Sequence, residues 1–343
     1  MAITAKKWGD HKDKEVWLFR LQNNNGAYVE LTNYGATIVA IVVPDQMTRL
    51  GHVVLGFNSL KGYLDDQCYI GSTIGRFANR IANSTFSIDD KQYHLQPNDY
   101  GNSNHGGGSG FNFEVFDFLL DGDTIIFRLI SKDGDGGYPG NLSLNVTYRW
   151  TEDNRLEIGY GAVCDKDTIA NFTNHAYFNL SSASDGVADH LLTIPAVNLL
   201  EADEQYIPTG NIIAADVKAF SNDKIADKLH HVNGRLTGLN DYYIIDGGLS
   251  AKDGLRTAAI LKEKESGRKM TVYTTYPGLM LYTGDYLFSD EPGLLAKNYE
   301  PFDGLCLECQ HYPDAPNHPN FPPVILPVGQ TYDEKIVYQF DLM

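Results

Sequence analysis

Apolar and polar residues alternate with period two over much of the chain, the pattern of strands that bury one face. Leu142, Leu144, Val146, Tyr148 and Trp150 are apolar, and Ser143, Asn145, Thr147, Arg149 and Thr151 beside them are polar. A short Glu152-Asp153-Asn154 turn leads to Leu156, Ile158, Tyr160 and Ala162, so the two runs read as a hairpin. Near the end of the chain Ile336, Tyr338, Phe340 and Leu342 alternate with Val337, Gln339 and Asp341. Further strands are predicted at 16–21, 29–43, 124–131, 191–194, 269–275 and 279–283. Segments rich in Gly, Asn, Asp and Pro, such as KDGDGGYPGN, punctuate them as turns. Helical signals are weak, with one short helix predicted in 221–231. The pattern predicts an all-β fold, a large antiparallel β-sandwich that spans 1–343 as a single domain. The alternative is two stacked β-domains with a break near residue 185.

Charge narrows the partners. Asp and Glu number 44 against 27 Lys and Arg, a formal net charge of −17. Such a field repels nucleic acid and anionic lipid, and a neutral small molecule needs no steering charge. The longest apolar run, 38–43, is far short of the roughly 20 residues that span a bilayer. The first residues, MAITAKKWGDHKDKEVW, hold no apolar stretch behind the lysines, so a cytoplasmic protein is expected, as a monomer or homodimer. Phosphate-loop, dinucleotide, serine-hydrolase and zincin signatures are all missing. Cys306 and Cys309 form a Cys-x-x-Cys inside the strand-like GLCLECQ. Residues i and i+3 of a strand face opposite ways, so the pair cannot chelate one ion without a bend. No metal or cofactor is expected.

Four polar segments interrupt the strands. GRFANRI holds Arg76, Asn79 and Arg80; an arginine there pairs a carboxylate or faces a ligand. GNSNHGGGSGFNF holds His105 among glycines, which lets backbone approach closely or leaves an idle surface loop. NFTNHAYFNL holds His175 in an aromatic, strand-like run, as a reactive group or a satisfied core histidine. GLCLECQHYPDAPNHPNFPP holds Glu308 between Leu307 and Cys309. A carboxylate buried there is costly unless paired, with Arg80 and Arg76 the candidate partners, and burial raises its pKa into the range of a general base. Together these residues form an acid–base set suited to proton transfer on a sugar or other polyol. Phe77, Tyr177, Phe178 and Tyr276 offer apolar ring faces for sugar C–H groups.

With LTNYGATIVAIVVPD, VVLGFNSLKGY, IGRFANRI, the HGG of His105, DGDGGYPGN, NFTNHAYFNL, YPGLMLYTGD and GLCLECQHYPDAPNHPNFPPVIL in this order, the chain resembles the aldose 1-epimerase, or galactose mutarotase, family from about 28 to 340. The resemblance implies a galactose-mutarotase-like antiparallel β-sandwich with a cleft on one sheet. It implies that Glu308 is the general base, His175 the general acid toward the ring oxygen, and His105 the second histidine of the ring-oxygen region. Asn79 and Arg80 match the contacts to sugar hydroxyls. Three departures bear on the pocket. The family's Gly-x-Asp-His-x-Phe is here Gly238-Leu239-Asn240-Asp241-Tyr242-Tyr243, so either Asn240 binds sugar as an amide or a bulge presents Asp241. Tyr276 stands where many members have Gln, and is a candidate sugar contact that alters preference. Asn104 replaces the Leu before His-Gly-Gly, with an extra Gly108.

The implied activity is cofactor-free interconversion of α and β anomers of a free aldose such as galactose or glucose. Ionised Glu308 takes the anomeric proton, and protonated His175 gives one to the ring oxygen. The alternatives are a sugar-binding module without catalysis, a mutarotase acting on a reducing disaccharide such as maltose, and a glycoside hydrolase or lyase. A hydrolase needs a second carboxylate about 5–10 Å from Glu308, and Asp241 is the one candidate.

Overall fold

The computed structural model describes residues 2–182, 185–232, 234–245 and 254–343. Leu142–Trp150 pairs antiparallel with Arg155–Cys164, Leu144 opposite Ala162 and Trp150 opposite Leu156, as the alternation requires. Leu142, Leu144, Val146, Tyr148 and Trp150 are all buried. Tyr332–Leu342 lies against Arg155–Cys164, followed by Arg268–Thr274, Arg256–Lys262, Leu191–Thr193 and Ser221–Lys224. With Asp117–Asp121 and Thr124–Ser131 on its other side, this makes a nine-stranded antiparallel sheet. Strands from before and after residue 185 therefore hydrogen-bond side by side, and a break there would cut the sheet.

A six-stranded sheet runs Tyr177–Phe178, Leu305–Gln310, Gly278–Tyr282, Asn240–Ile244, Asn198–Ala202, Pro208–Ala214. A five-stranded sheet holds Ala2–His11, Lys14–Gln22, Tyr28–Thr32, Thr37–Pro44 and Leu50–His52. The main core lies between the layers. Phe127, Leu144, Trp150 and Val272 of the large sheet pack in one cluster with Leu31 and Ile41 of the five-stranded sheet and Leu279, Leu281, Leu305 and Leu307 of the six-stranded one. Each such side chain contributes about 1.5–3 kcal/mol on burial, which holds the six-stranded sheet by one face. Among the described residues no helix is long and apolar enough to cross a membrane.

Three local expectations are corrected. Residues 29–43 form two antiparallel strands, Tyr28–Thr32 and Thr37–Pro44, because Gly35 at φ 65° and Ala36 at φ 43° reverse the chain. Asn33 and Gly35 mark the turn between two strand-like stretches. The helix expected in 221–231 is a strand, Ser221–Lys224, followed by one 3-10 turn, Ile225–Lys228. The run 171–180 is two short strands in different sheets: Thr173–Asn174 pairs with Thr73–Ile74, and Tyr177–Phe178 with Leu305–Gln310. His175 sits at the crossing between them.

Candidate active site

The strand Leu305–Gln310 decides where the chemistry lies. Leu305, Leu307 and Cys309 enter the main core. Alternation therefore turns Cys306, Glu308 and Gln310 to the opposite face. Across the sheet Met280 stands opposite Glu308, and Tyr242 opposite Met280. Further along, Tyr282 stands opposite Cys306 and Asn240 opposite Tyr282. Asn240 thus shares the face of Glu308, while Asp241 belongs to the other face and its carboxylate accepts from Lys218 Nζ at 2.6 Å. No bulge interrupts this register, so Asp241 is corrected out of the sugar-facing set, and the second carboxylate a hydrolase needs goes with it.

Glu308 and His175 meet on this face, with His175 Nε2 3.7 Å from Glu308 Oε1 and side-chain exposures of 6% and 3%. The chain crossing holds the imidazole in place: His175 N–H donates to Ser72 O at 2.9 Å, and its carbonyl accepts from Gly71 N–H at 3.0 Å. Nδ1 lies 3.4 Å from Cys306 Sγ. Cys306 is therefore a neighbour of the site, while Cys309 is in the core. The two point apart, and all four cysteines are free. His105 is the third member, its ring centre 5.3 Å from that of His175 in an edge-on arrangement. Asn79 N–H donates to His105 Nδ1 at 3.2 Å, which leaves the ring proton on Nε2. The glycine after it is required: Gly106 has φ 85°, and a Cβ there would stand 2.2 Å from Gly75 O. Asn79 at φ 67°, His105 at φ 53° and Tyr69 at φ 59° hold sparsely populated backbone angles, which cluster at functional sites.

Burial sets the charge states. Desolvation pushes Glu308 up to about 8, against a smaller lowering pull from Arg80. It pushes His175 down to about 4, and His105 well below its ordinary range, helped by His175 and Arg80. Near pH 7 burial therefore favours neutral imidazoles and a protonated Glu308 over the expected ion pair. The two descriptions are tautomers: one proton shared by Glu308 and His175 serves both. His105, His175 and Glu308 offer one ligand atom each within 4.8 Å of one another.

The two arginines part company. Arg76 is 1% exposed and spends its guanidinium on Pro139 O at 2.8 Å, Gly140 O at 3.1 Å and Ser131 Oγ at 2.6 Å. It braces loops. Arg80 is held by Asp99 at 2.7 Å and stays partly open, with 14% side-chain exposure. Neither forms an ion pair with Glu308, whose Oε2 is buried without a partner, as are both amide atoms of Gln310. Tyr276 is corrected as well. It is fully buried, donates to Phe172 O at 2.6 Å and bonds Tyr332 Oη at 2.8 Å, so its hydroxyl is spent in the core. Phe77, Tyr177 and Phe178 are likewise buried.

The chain as a whole has counterparts. The family model described as aldose 1-epimerase matches residues 18–339. The chain belongs to the aldose 1-epimerase family. A galactose mutarotase of Homo sapiens is 39% identical over 316 residues, covering 92% of this chain and 91% of that protein. An aldose 1-epimerase of Escherichia coli K12 is 36% identical over 335 residues, 94% of each. The crystal structure of an aldose epimerase homologue from C. elegans superposes with TM-score 0.89 at 31% identity, covering 95% of this chain and 99% of that one. The fold is thus of the galactose mutarotase kind, and the protein is an isomerase. Within this epimerase, sequence reasoning passed over Tyr69, whose ring centre is 4.8 Å from His105 and 5.7 Å from His175, and Asp99, which orients Arg80. Neither lies in an apolar run that would have marked it.

Proposed function

We propose that this aldose 1-epimerase interconverts the α and β anomers of free aldoses such as galactose or glucose, with Glu308 as base, His175 as acid and His105 as a neutral donor beside the ring oxygen. The observation that carries this reading is the buried Glu308–His175 pair at 3.7 Å. With His175 Nδ1–H toward Cys306 Sγ, Nε2 is the atom that exchanges a proton with Glu308. A bound sugar ring faces the ion-pair tautomer. Glu308 takes the O1 proton as His175 Nε2–H protonates O5, the C1–O5 bond breaks, and the aldehyde forms. The pair is then neutral. Rotation about C1–C2 and the reverse transfers close the ring as the other anomer. No proton is gained or lost, so one shared proton serves both directions.

Arg80, oriented by Asp99, and Asn79 hold hydroxyls, and Asn240 contributes an amide from the shared face. We read 1–343 as one domain, working in the cytoplasm on free sugar as a monomer or homodimer, with no metal or cofactor taking part. Polarimetry tests the activity. Fresh α-D-galactose and α-D-glucose reach their unchanged equilibrium rotation faster with protein than without. Equal rates with and without folded protein overturn the reading.

A further inference from the structure

The segment HYPDAPNHP follows the Glu308 strand and takes no part in the chemistry above, yet the chain brings it back to the site. Asp314 in this segment is 1% exposed and lies against Arg80–Ile81, a strand of two residues. One edge of that strand pairs with Ser103–Asn104, the residues just before His105. Asp314 serves the other edge. Its N–H donates to Arg80 O at 2.9 Å, and its Oδ1 accepts from Ala82 N–H at 3.0 Å. One residue thus supplies the donor and the acceptor that a third strand would have supplied.

The aspartate is itself locked. Its backbone holds φ 53°. Asn317 Nδ2 donates to the same Oδ1 at 2.6 Å and to Thr85 O at 3.0 Å, and His318 Nε2 lies 3.2 Å from Oδ2. A second stitch lies nearer Glu308: the Asn171 side chain accepts from His311 N–H at 2.9 Å and donates to Ala78 O at 3.3 Å. The segment that follows Glu308 is therefore fastened to the Arg76–Arg80 motif on both sides of Asn79. Asp99 and the ring of Tyr206, 5.2 Å from the guanidinium carbon, direct the far end of the Arg80 side chain. They do not set its root. A binding group has to be held within about 0.5 Å of its productive place, and so short a strand has too few ladder bonds to hold itself there. Asp314 sets the root, and it sets it relative to the strand that carries Glu308.

We infer that Asp314 is a positioning residue for substrate binding: it touches no sugar and acts through Arg80, whose backbone it ties to the strand of the general base. The inference rests on the reading of Arg80 as a contact to sugar hydroxyls. Polarimetry with fresh α-D-galactose tests it on two variants. Asp314→Gly accommodates φ 53° and removes the carboxylate, and Asp314→Asn keeps an acceptor for Ala82 N–H. Asp314→Gly raises KM by about tenfold and leaves kcat within about twofold, whereas Asp314→Asn keeps the wild-type KM. Arg80→Ala raises KM too, and adding Asp314→Gly to it raises KM no further, because both changes remove one contact. A general loosening of the fold would instead multiply the two effects and lower kcat. Should Asp314→Gly fail to fold, Ala82→Pro deletes the same hydrogen bond from the donor side, at the first residue of a 3-10 turn where proline is accepted, with the same expected outcomes. A wild-type KM in natively folded Asp314→Gly or Ala82→Pro, or multiplied effects in the double variant, overturns the inference and leaves the role of Arg80 standing. A wild-type KM in Arg80→Ala overturns both.

Discussion

Two strand pairs of this molecule use the same antiparallel ladder for different ends. In Leu142–Trp150 with Arg155–Cys164, one face enters the core and the other meets solvent, with Arg149 and Glu157 paired on the outside at 3.5 Å. In Gly278–Tyr282 with Leu305–Gln310, nearly every residue is buried on both faces. The first pair puts its charges where water screens them and gains stability from its apolar face. The second keeps a carboxyl group out of water, which costs folding energy and moves the pKa to about 8. A ladder can thus be optimised for stability or can support a perturbed acid, according to what packs on its second face.

The sharpest break in this comparison is a single proton-bearing atom. Glu308→Gln keeps size and burial and removes the exchangeable proton, so kcat falls by about 10²–10⁴ while the circular dichroism spectrum stays native. A Gln variant with the wild-type rate removes Glu308 from the mechanism. The matching change in the other pair is Trp150→Ala. It costs about 3–5 kcal/mol of stability, read as a drop in denaturation midpoint, while kcat per folded molecule holds. Loss of kcat in that folded fraction would show that the two regions are not separable.

pH sharpens the contrast. The pair carries its one shared proton between the His175 value of about 4 and the Glu308 value of about 8. The rate therefore follows a bell with limbs near those values, which belong to the coupled pair. Stability moves as well. Glu308 is raised above its unfolded value of 4.5, so its contribution is fully present below about 4.5 and is lost as pH rises through about 8. Glu308→Gln lacks this loss. Its melting temperature relative to wild type therefore climbs from pH 5 to pH 8, by several degrees. A constant difference across that range means Glu308 is not held protonated by burial. The smallest effect belongs to the outer face of the hairpin: Asn145→Ala changes stability by less than about 0.5 kcal/mol and leaves the rate alone.

Much of this was legible in the amino-acid order. The alternation at 142–164 and 332–342 told which residues face inward, because side-chain direction along a strand is a property of the local backbone. The same parity told that Cys306 and Cys309 point apart, and it placed Glu308 on the face opposite Leu307. The family motifs told which segments carry the polar set. The reversal at Gly35–Ala36 was marked only by Asn33 and Gly35, too short a signal to separate it from the strand-like residues on either side.

Only the tertiary structure decided the rest. His105, His175 and Glu308 come from three distant segments and meet because the six-stranded sheet is pinned by its other face to the core. Arg76 and Arg80 are four residues apart in one motif, yet one braces carbonyls and the other lines the site. Asp241 is excluded by pairing register, and Tyr276 by the carbonyl its hydroxyl finds. The charge state of the Glu308–His175 pair is decided last, because desolvation sums over every group packed around it. That sum depends on remote segments and is written nowhere in the local sequence.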